Sequence, residues 1–323
     1  MNIELSNNII KEIDWYNSSE KVSILQHNLV ETSDNINKIV SNNIIGNYTF
    51  EFGHEVITDI DFYNYIINTI DNLSKLGNNI LVSTASIKPD VFTFNPITNL
   101  YIQWKNLYQR VNISWNQSYS EIAWPLNLYN KSKLLNDIRY CRTLISVRKE
   151  TDDRNLLFNK ISKFDLDINR YAKYITDANH ETVNDLNRVS NFPQWSELLD
   201  EYEKTYFSFI IETNHTDTNN ISCQLTEKTL IPFFTGTIPI VIGQRNIIKY
   251  LTDIGFWVAN NDFGFGLGDD YIANSEYKLN SYVNCVENIS KLSLSECRDY
   301  WLSNKEKIQH NYDLIYSILN YGK

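Results

Sequence analysis

The chain is poor in the residues that mark several familiar site chemistries. Its 323 residues include ten glycines, six prolines, four cysteines and a single methionine. A phosphate-cradling loop needs clustered glycine between a strand and a helix. The one glycine-dense string, Gly264-Phe-Gly-Leu-Gly268, has neither neighbour and reads as a plain loop. Cys141, Cys223, Cys285 and Cys297 are scattered, with no Cys-x-x-Cys pair and no histidine at metal-ligand spacing. That distribution argues against a zinc motif and fits free thiols in a reducing compartment. No basic stripe is present, the formal net charge is −10, and nucleic acid is therefore a poor candidate partner. A small anion held by two or three cations stays open. No run approaches the ~20 apolar residues that span a bilayer. The opening residues also lack the basic start and apolar run of a signal peptide. A soluble, cytoplasmic protein without an integral membrane segment is the expectation.

What is present is core-forming material: 42% of residues are hydrophobic and 13% aromatic. A chain of this length exceeds what one core usually organises, so two domains are expected. The boundary is placed near residue 140, giving domains 1–140 and 141–323. Residues 1–40 are weakly patterned, with room for a helix and a strand from Val22 to Leu25. Tyr63, Ile66, Ile67, Ile70, Leu73 and Leu76 recur at helical spacing between a cap at Thr58 or Asp59 and a stop at Gly77. The apolar run 79–83 follows as a buried strand. Helix then buried strand is the alternation of an α/β layer fold. Later, 143–147 and 207–211 read as strands, about 153–164 and 170–200 as helical, and 213–224 as a polar loop. Thr226 leads into a helix that Gly236 ends, and Ile238 to Ile242 forms another strand. Pro239 is tolerated near the start of that strand, whereas Pro232 should kink or shorten the helix. Two amphipathic helices are expected after residue 276, around Tyr282 to Leu292 and Leu294 to Leu319, the second broken in the middle.

The pair Glu227-Lys228 at the head of one helix is the sharpest chemical signal. A helix start exposes unpaired N–H groups and attracts anions. Glu227 fits there as an ordinary first-turn glutamate. Lys228 opposes the helix dipole, at a cost of about 0.3–1 kcal/mol. An anionic ligand at that end would reverse the penalty; the alternative is a lysine stem that swings its ammonium into solvent.

Around this pair, Tyr206-Phe-Ser-Phe-Ile-Ile-Glu212, Leu225-Thr-Glu-Lys228 and Gly236-Thr-Ile-Pro-Ile-Val-Ile-Gly243 resemble the donor-binding segment of the α1,3-fucosyltransferases. That family carries Phe-Glu-Asn, then Val-Thr-Glu-Lys, then a strand of the type Thr-Val-Pro-Ile-Tyr-x-Gly. Upstream, Ser146 to Arg154 looks like its Ser-Asn … Arg strand end. Ile113-Ser-Trp-Asn-Gln-Ser-Tyr119 is similar to its Asn-Trp-Thr-x-x-Tyr signature. The likeness covers roughly residues 110–260, with the motifs in order.

The resemblance implies a GT-B type α/β fold, two Rossmann-like domains facing across a cleft, in a divergent bacterial or viral member. It implies an inverting, metal-independent glycosyltransferase with no required cofactor and a nucleotide-sugar donor, GDP-sugars favoured, acting on a glycan or protein acceptor. Glu227 would hold the ribose hydroxyls, and Lys228 and Arg154 the pyrophosphate, Arg154 stabilising the leaving group. Glu212, Thr213, Asn214, Thr226, Trp115 and Tyr119 complete the donor set. For Arg154 the alternative is an ion pair with Asp152 or Asp153. The general base is a carboxylate of the first domain, Glu55 or Glu51, with Glu121 and His54 as other candidates.

This sequence departs from the family in three places. Phe-Glu-Asn becomes Ile211-Glu212-Thr213, Gln224-Leu225 stands before the Thr, and Tyr250 to Trp257 has no close counterpart. The donor sugar is the feature these departures touch. Other readings are an exostosin-like GT-B transferase and a non-catalytic carbohydrate-binding protein supported by the aromatics of 92–129. A metal-dependent GT-A transferase would use Asp59-Ile-Asp61 or Asp165-Leu-Asp167, two pairs that fall at or inside expected helices.

Overall fold

Among the described residues, two all-parallel sheets, of three and four strands, alternate with helices, an α/β organisation. The computed structural model describes residues 6–24, 28–42, 45–51, 60–83, 97–98, 101–102, 137–147, 152–171, 201–212, 227–272 and 275–319. The chain divides into two compact units. One is built on Met1–Arg110, with Asn219–Gln224 and Tyr316–Lys323 grouped with it; the other comprises Val111–Thr218 and Leu225–Ile315.

In the first unit, helix α1 (Asn7–Ser18) precedes β1 (Glu20–Ser23), α2 (Leu29–Asn42), β2 (Asn47–Glu51), α3 (Ile60–Lys75) and β3 (Asn79–Ser83). The strands lie in the order β1-β2-β3, each parallel to the next. Ile66, Ile70 and Leu73 of the expected stripe are buried on α3, joined by Phe62. Leu76 instead lies beyond the helix end and is largely exposed. Gly77 closes the turn at φ +94°, a left-handed value that suits glycine. Val22, Ile24, Ile36, Ile39, Tyr48 and Phe50 complete this core with those residues. Helix α2 and strand β2 were not expected from the sequence.

In the second unit, β4 (Cys141–Val147) leads to α4 (Asp152–Ile161) and β5 (Ile168–Tyr171). Then come β6 (Thr205–Ile211), α5 (Glu227–Thr235), β7 (Ile238–Ile242) and α6 (Ile247–Ile254). The strand order is β5-β4-β6-β7. Every residue of β6 and β7 is buried, which is why both read as mostly apolar runs. Helix α5 continues through Pro232 and ends at Gly236, φ +67°. A 3-10 turn (Asn260–Phe263), α7 (Leu267–Tyr271), α8 (Ser275–Ser290), α9 (Leu294–Ser303) and α10 (Lys305–Leu319) follow. The expected break in the last helix falls at Asn304. The string expected to be a loop starts the five-residue α7 at Leu267.

The outer edge of β7 is closed by side chains. Asn260 donates from Nδ2 to Val241 O (2.7 Å) and accepts at Oδ1 from Val241 N (2.9 Å). Tyr282 donates its hydroxyl to Ile240 O (3.0 Å), and Ala259 N donates to Pro239 O (3.3 Å).

The N-terminal edge of this sheet is held by Arg139, which is only 3% exposed. Its Nη1 donates to Tyr202 O (3.0 Å), Thr205 O (2.9 Å) and Thr237 Oγ1 (3.3 Å), and its Nη2 to Thr235 O (2.9 Å). The guanidinium also lies over the ring of Trp301, 5.5 Å from its centroid. Replacing Arg139 by Leu strands several buried carbonyls, each worth about 1–3 kcal/mol. Urea unfolding is expected to show a loss of ~3 kcal/mol or more, with Arg139→Lys recovering only part of it because a lysine lacks the planar fork.

Candidate functional site

Strand order in the second unit reverses between β4 and β6: the chain steps from β4 to β5 on one side, then returns to β6 on the other. In open parallel sheets, the crevice beyond the C-terminal ends of the strands at such a reversal is where ligands bind. Four of the residues singled out in the sequence, Arg154, Glu212, Glu227 and Lys228, belong to segments that meet at this edge.

Arg154 lies in the first turn of α4, behind Asp152 and Asp153, whose charges suit a helix start. It is 1% exposed, and its Nη2 donates to Ile211 O, the last carbonyl of β6, at 3.2 Å. A guanidinium from the segment after β4 thus crosses to the end of β6. The side chain is fixed by backbone at the reversal itself.

Glu212 is the first residue beyond β6, and its backbone N–H still donates to Ile242 O of β7 (2.9 Å). Its side chain is fully buried. Oε1 accepts a 2.5 Å hydrogen bond from the hydroxyl of Thr229, in the first turn of α5 and also fully buried. A carboxylate taken from water is costly unless it is hydrogen-bonded, and this contact offsets part of the cost. Gly243, at the end of β7, makes room for it. A Cβ there would stand 3.3 Å from the Glu212 Cβ and 2.4 Å from Ile247 Cδ1, so no larger residue fits without movement.

Glu227 is the first residue of α5, and the half-buried Lys228 is the second. The helix head expected to receive an anion therefore stands beside the end of β6, tied there by Thr229. Thr229 was missed in the sequence because its partner is 17 residues away. The only local signal was a hydroxyl in a helix first turn.

Behind this edge lies a buried ion pair the sequence did not reveal. Lys278 of α8 donates to Gly243 O (2.8 Å) and to Asp270 Oδ1 (3.1 Å), and both side chains are almost wholly buried. Asp270 Oδ2 in turn accepts from Ile248 N in the first turn of α6 (2.9 Å).

Other expectations are placed as follows. Glu51 ends β2 in the first unit and accepts from the Tyr16 hydroxyl at 2.8 Å, so it closes a strand rather than sitting in a loop. Glu55, His54, Trp115, Tyr119, Glu121, Thr213, Asn214 and Thr226 lie outside the described residues. Asp165 and Asp167 are not helical: they lie between α4 and β5 and hold Arg142, with Oδ2 of Asp165 at 2.7 Å and Oδ1 of Asp167 at 2.6 Å from Nη2. Asp61 is in the first turn of α3, and Asp59 lies outside the described residues. Among the described residues, no group of three or more His, Cys, Asp or Glu could hold a metal ion. Nor is any helix among them long and apolar enough to cross a membrane.

A hollow of about 750 Å³ opens elsewhere, between α6 and the glycine-rich stretch before α7, lined by Thr252, Phe256, Trp257, Asn261 and Leu267 among others. None of Arg154, Glu212 and Lys228 lines it. Its Asp269 is already engaged by Gly266 N and the Ser281 hydroxyl, and its Thr252 by Ile248 O. The strand-end edge is the better candidate because Arg154 and the head of α5 that bears Lys228 both stand at it and its topology favours a ligand. A scan against protein-family models, a search of curated proteins and a search of solved structures each found no match.

Burial pushes the Asp270 carboxyl above its ordinary value of 3.8, against the pull of Lys278. The folded protein then holds this proton more tightly than the unfolded chain does. Its contribution to stability is therefore greatest in acid and falls as pH rises from 3.8 through the raised value. Asp270→Asn puts an amide donor where one of the two oxygens used by Lys278 and Ile248 N stands, leaving a buried donor unsatisfied, and is expected to cost about 1–3 kcal/mol. The stability gap between wild type and variant should narrow as pH rises from 4 to 7, measured by denaturant unfolding; a gap that widens with pH would contradict this sign.

Proposed function

We propose that the chain is an inverting, metal-independent glycosyltransferase that binds a nucleotide-sugar donor at the C-terminal edge of its second sheet. The observation that carries this reading is the buried Arg154 at the strand-order reversal, on the same edge as the α5 head that bears Glu227 and Lys228. Two cations and a helix N-terminus are the groups a diphosphate needs. The resemblance of 206–243 to the α1,3-fucosyltransferases supports a GDP-sugar, and the presence of two parallel α/β units agrees with a GT-B type arrangement.

In this mechanism a carboxylate takes the proton of an acceptor hydroxyl as its oxygen attacks the anomeric carbon from the face opposite the leaving group. The bond from that carbon to the diphosphate oxygen breaks, and the nucleoside diphosphate leaves with the electron pair. Arg154 and Lys228 stabilise the charge that develops, which is the term such sites use most. Glu227 takes the ribose hydroxyls. The Asp165 and Asp167 carboxylates are turned onto Arg142, which weakens the metal-dependent alternative as far as it relied on them.

A thermal-shift panel of GDP, UDP, dTDP and their sugars, with and without EDTA, tests the reading. One nucleotide is expected to raise Tm and to keep doing so in EDTA. Lys228→Ala should weaken that nucleotide by about tenfold or more, the value of a charge-assisted contact of ~1.5 kcal/mol. A shift that requires divalent metal would favour the metal-dependent class, and no shift with any nucleotide would sink the proposal.

A further inference from the structure

The contact between Glu212 and Thr229 bears on the same donor site and rests on that reading. Both residues are fully buried, and the hydroxyl-to-carboxylate distance is 2.5 Å. Each is the immediate chain neighbour of a group that handles the cations. Ile211, just before Glu212, offers its carbonyl to Arg154. Lys228 comes just before Thr229 in α5. The backbone of Glu212 is tied to β7 through Ile242 O, and a side chain at Gly243 would press on its Cβ from that side. The carboxylate is therefore a fixed point on the sheet, and the first turn of α5 hangs from it. An apolar pair of similar volume would fill this space without a desolvation penalty. What it would not do is set the rotation of α5 about its own axis, because apolar contact has no direction whereas a hydrogen bond does.

We infer that Glu212 is a positioning residue of the donor site: through Thr229 it sets the first turn of α5 so that the Lys228 ammonium meets the donor diphosphate on the edge held by Arg154. Glu212 itself does not touch the donor.

The test compares wild type, Thr229→Val, Thr229→Ser, Lys228→Ala and the Thr229→Val/Lys228→Ala double variant, all as full chains. Binding of GDP and of guanosine is measured by calorimetry, with circular dichroism melting as the control for folding. If another base wins the panel above, its diphosphate and nucleoside replace these probes. Thr229→Val is expected to weaken the diphosphate about tenfold while leaving the nucleoside unchanged, Thr229→Ser to restore it, and the double variant to bind no worse than Lys228→Ala alone. A merely structural role would weaken both probes together and add to the Lys228 effect, and either result overturns the inference. Should Thr229→Val fail to fold, Glu212→Gln keeps the volume and replaces a charged acceptor with a neutral one; it should show the same selective loss, smaller in size. Diphosphate binding by Thr229→Val and Glu212→Gln equal to wild type, with Lys228→Ala still weakened, overturns the positioning role and leaves the donor-site reading standing. Wild type that binds no nucleotide overturns both.

Discussion

The second unit depends on one buried cation. Arg139 gathers the carbonyls of Tyr202, Thr205 and Thr235 at the edge where β4, β6 and β7 begin. Thr235 is the last residue of α5, so the guanidinium also sits at the negative end of that helix, where a cation is stabilised. Trp301 covers the same region and donates its indole N–H to Gly236 O at 2.8 Å. Tyr206 reinforces it by donating its hydroxyl to Asp137 O at 2.8 Å. Once this end is fixed, the length of α5 and the direction of β6 determine where the opposite ends fall. The residues beyond β6 and at the head of α5 are placed from behind.

The two edges of this sheet use arginine differently. At the starting edge Arg139 donates to three backbone carbonyls and the Thr237 hydroxyl and serves as a clamp. At the far edge Arg154 reaches across to Ile211 O from a helix head that also carries Asp152 and Asp153. Between them the sheet interior is apolar, with Leu144, Ile145, Phe207, Phe209, Ile240 and Val241 all buried. The charged side chains that act on this sheet stand at its rims, and the rim at the strand C-terminal ends is the one that strand order marks for ligands.

Much of this was legible in the sequence where burial is one-sided or complete. Helix α3 shows its stripe because Ile66, Ile70 and Leu73 face inward at helical spacing, and β6 and β7 show as short, mostly apolar runs. Helix α2 was hidden because Leu29, Val30 and Val40 are exposed, which blurs the stripe that Ile36 and Ile39 define. Strand β5, Ile168–Tyr171, is a four-residue edge strand with polar Asn and Arg in the middle, so it carries no apolar run. The neighbouring Asp165 and Asp167 looked helical because their pairing with Arg142 is not local in sequence. At the site, charge drew attention to Arg154 and Lys228. The Glu212–Thr229 contact and the Lys278–Asp270 pair were not legible, since each exists only once distant segments have met.

The way β7 ends the sheet has a consequence for the protein in a crowded solution. An exposed strand edge is a template on which a foreign strand can add, and β7 is five buried residues long and wholly apolar. Here the side-chain amide of Asn260 takes both backbone groups of Val241, while Tyr282 and Ala259 occupy the carbonyls of Ile240 and Pro239. Pro239 has no N–H to offer in any case. An incoming chain finds the Val241 N–H and the outward carbonyls of Val241 and Pro239 already engaged, so the fold's own groups block strand addition at this edge.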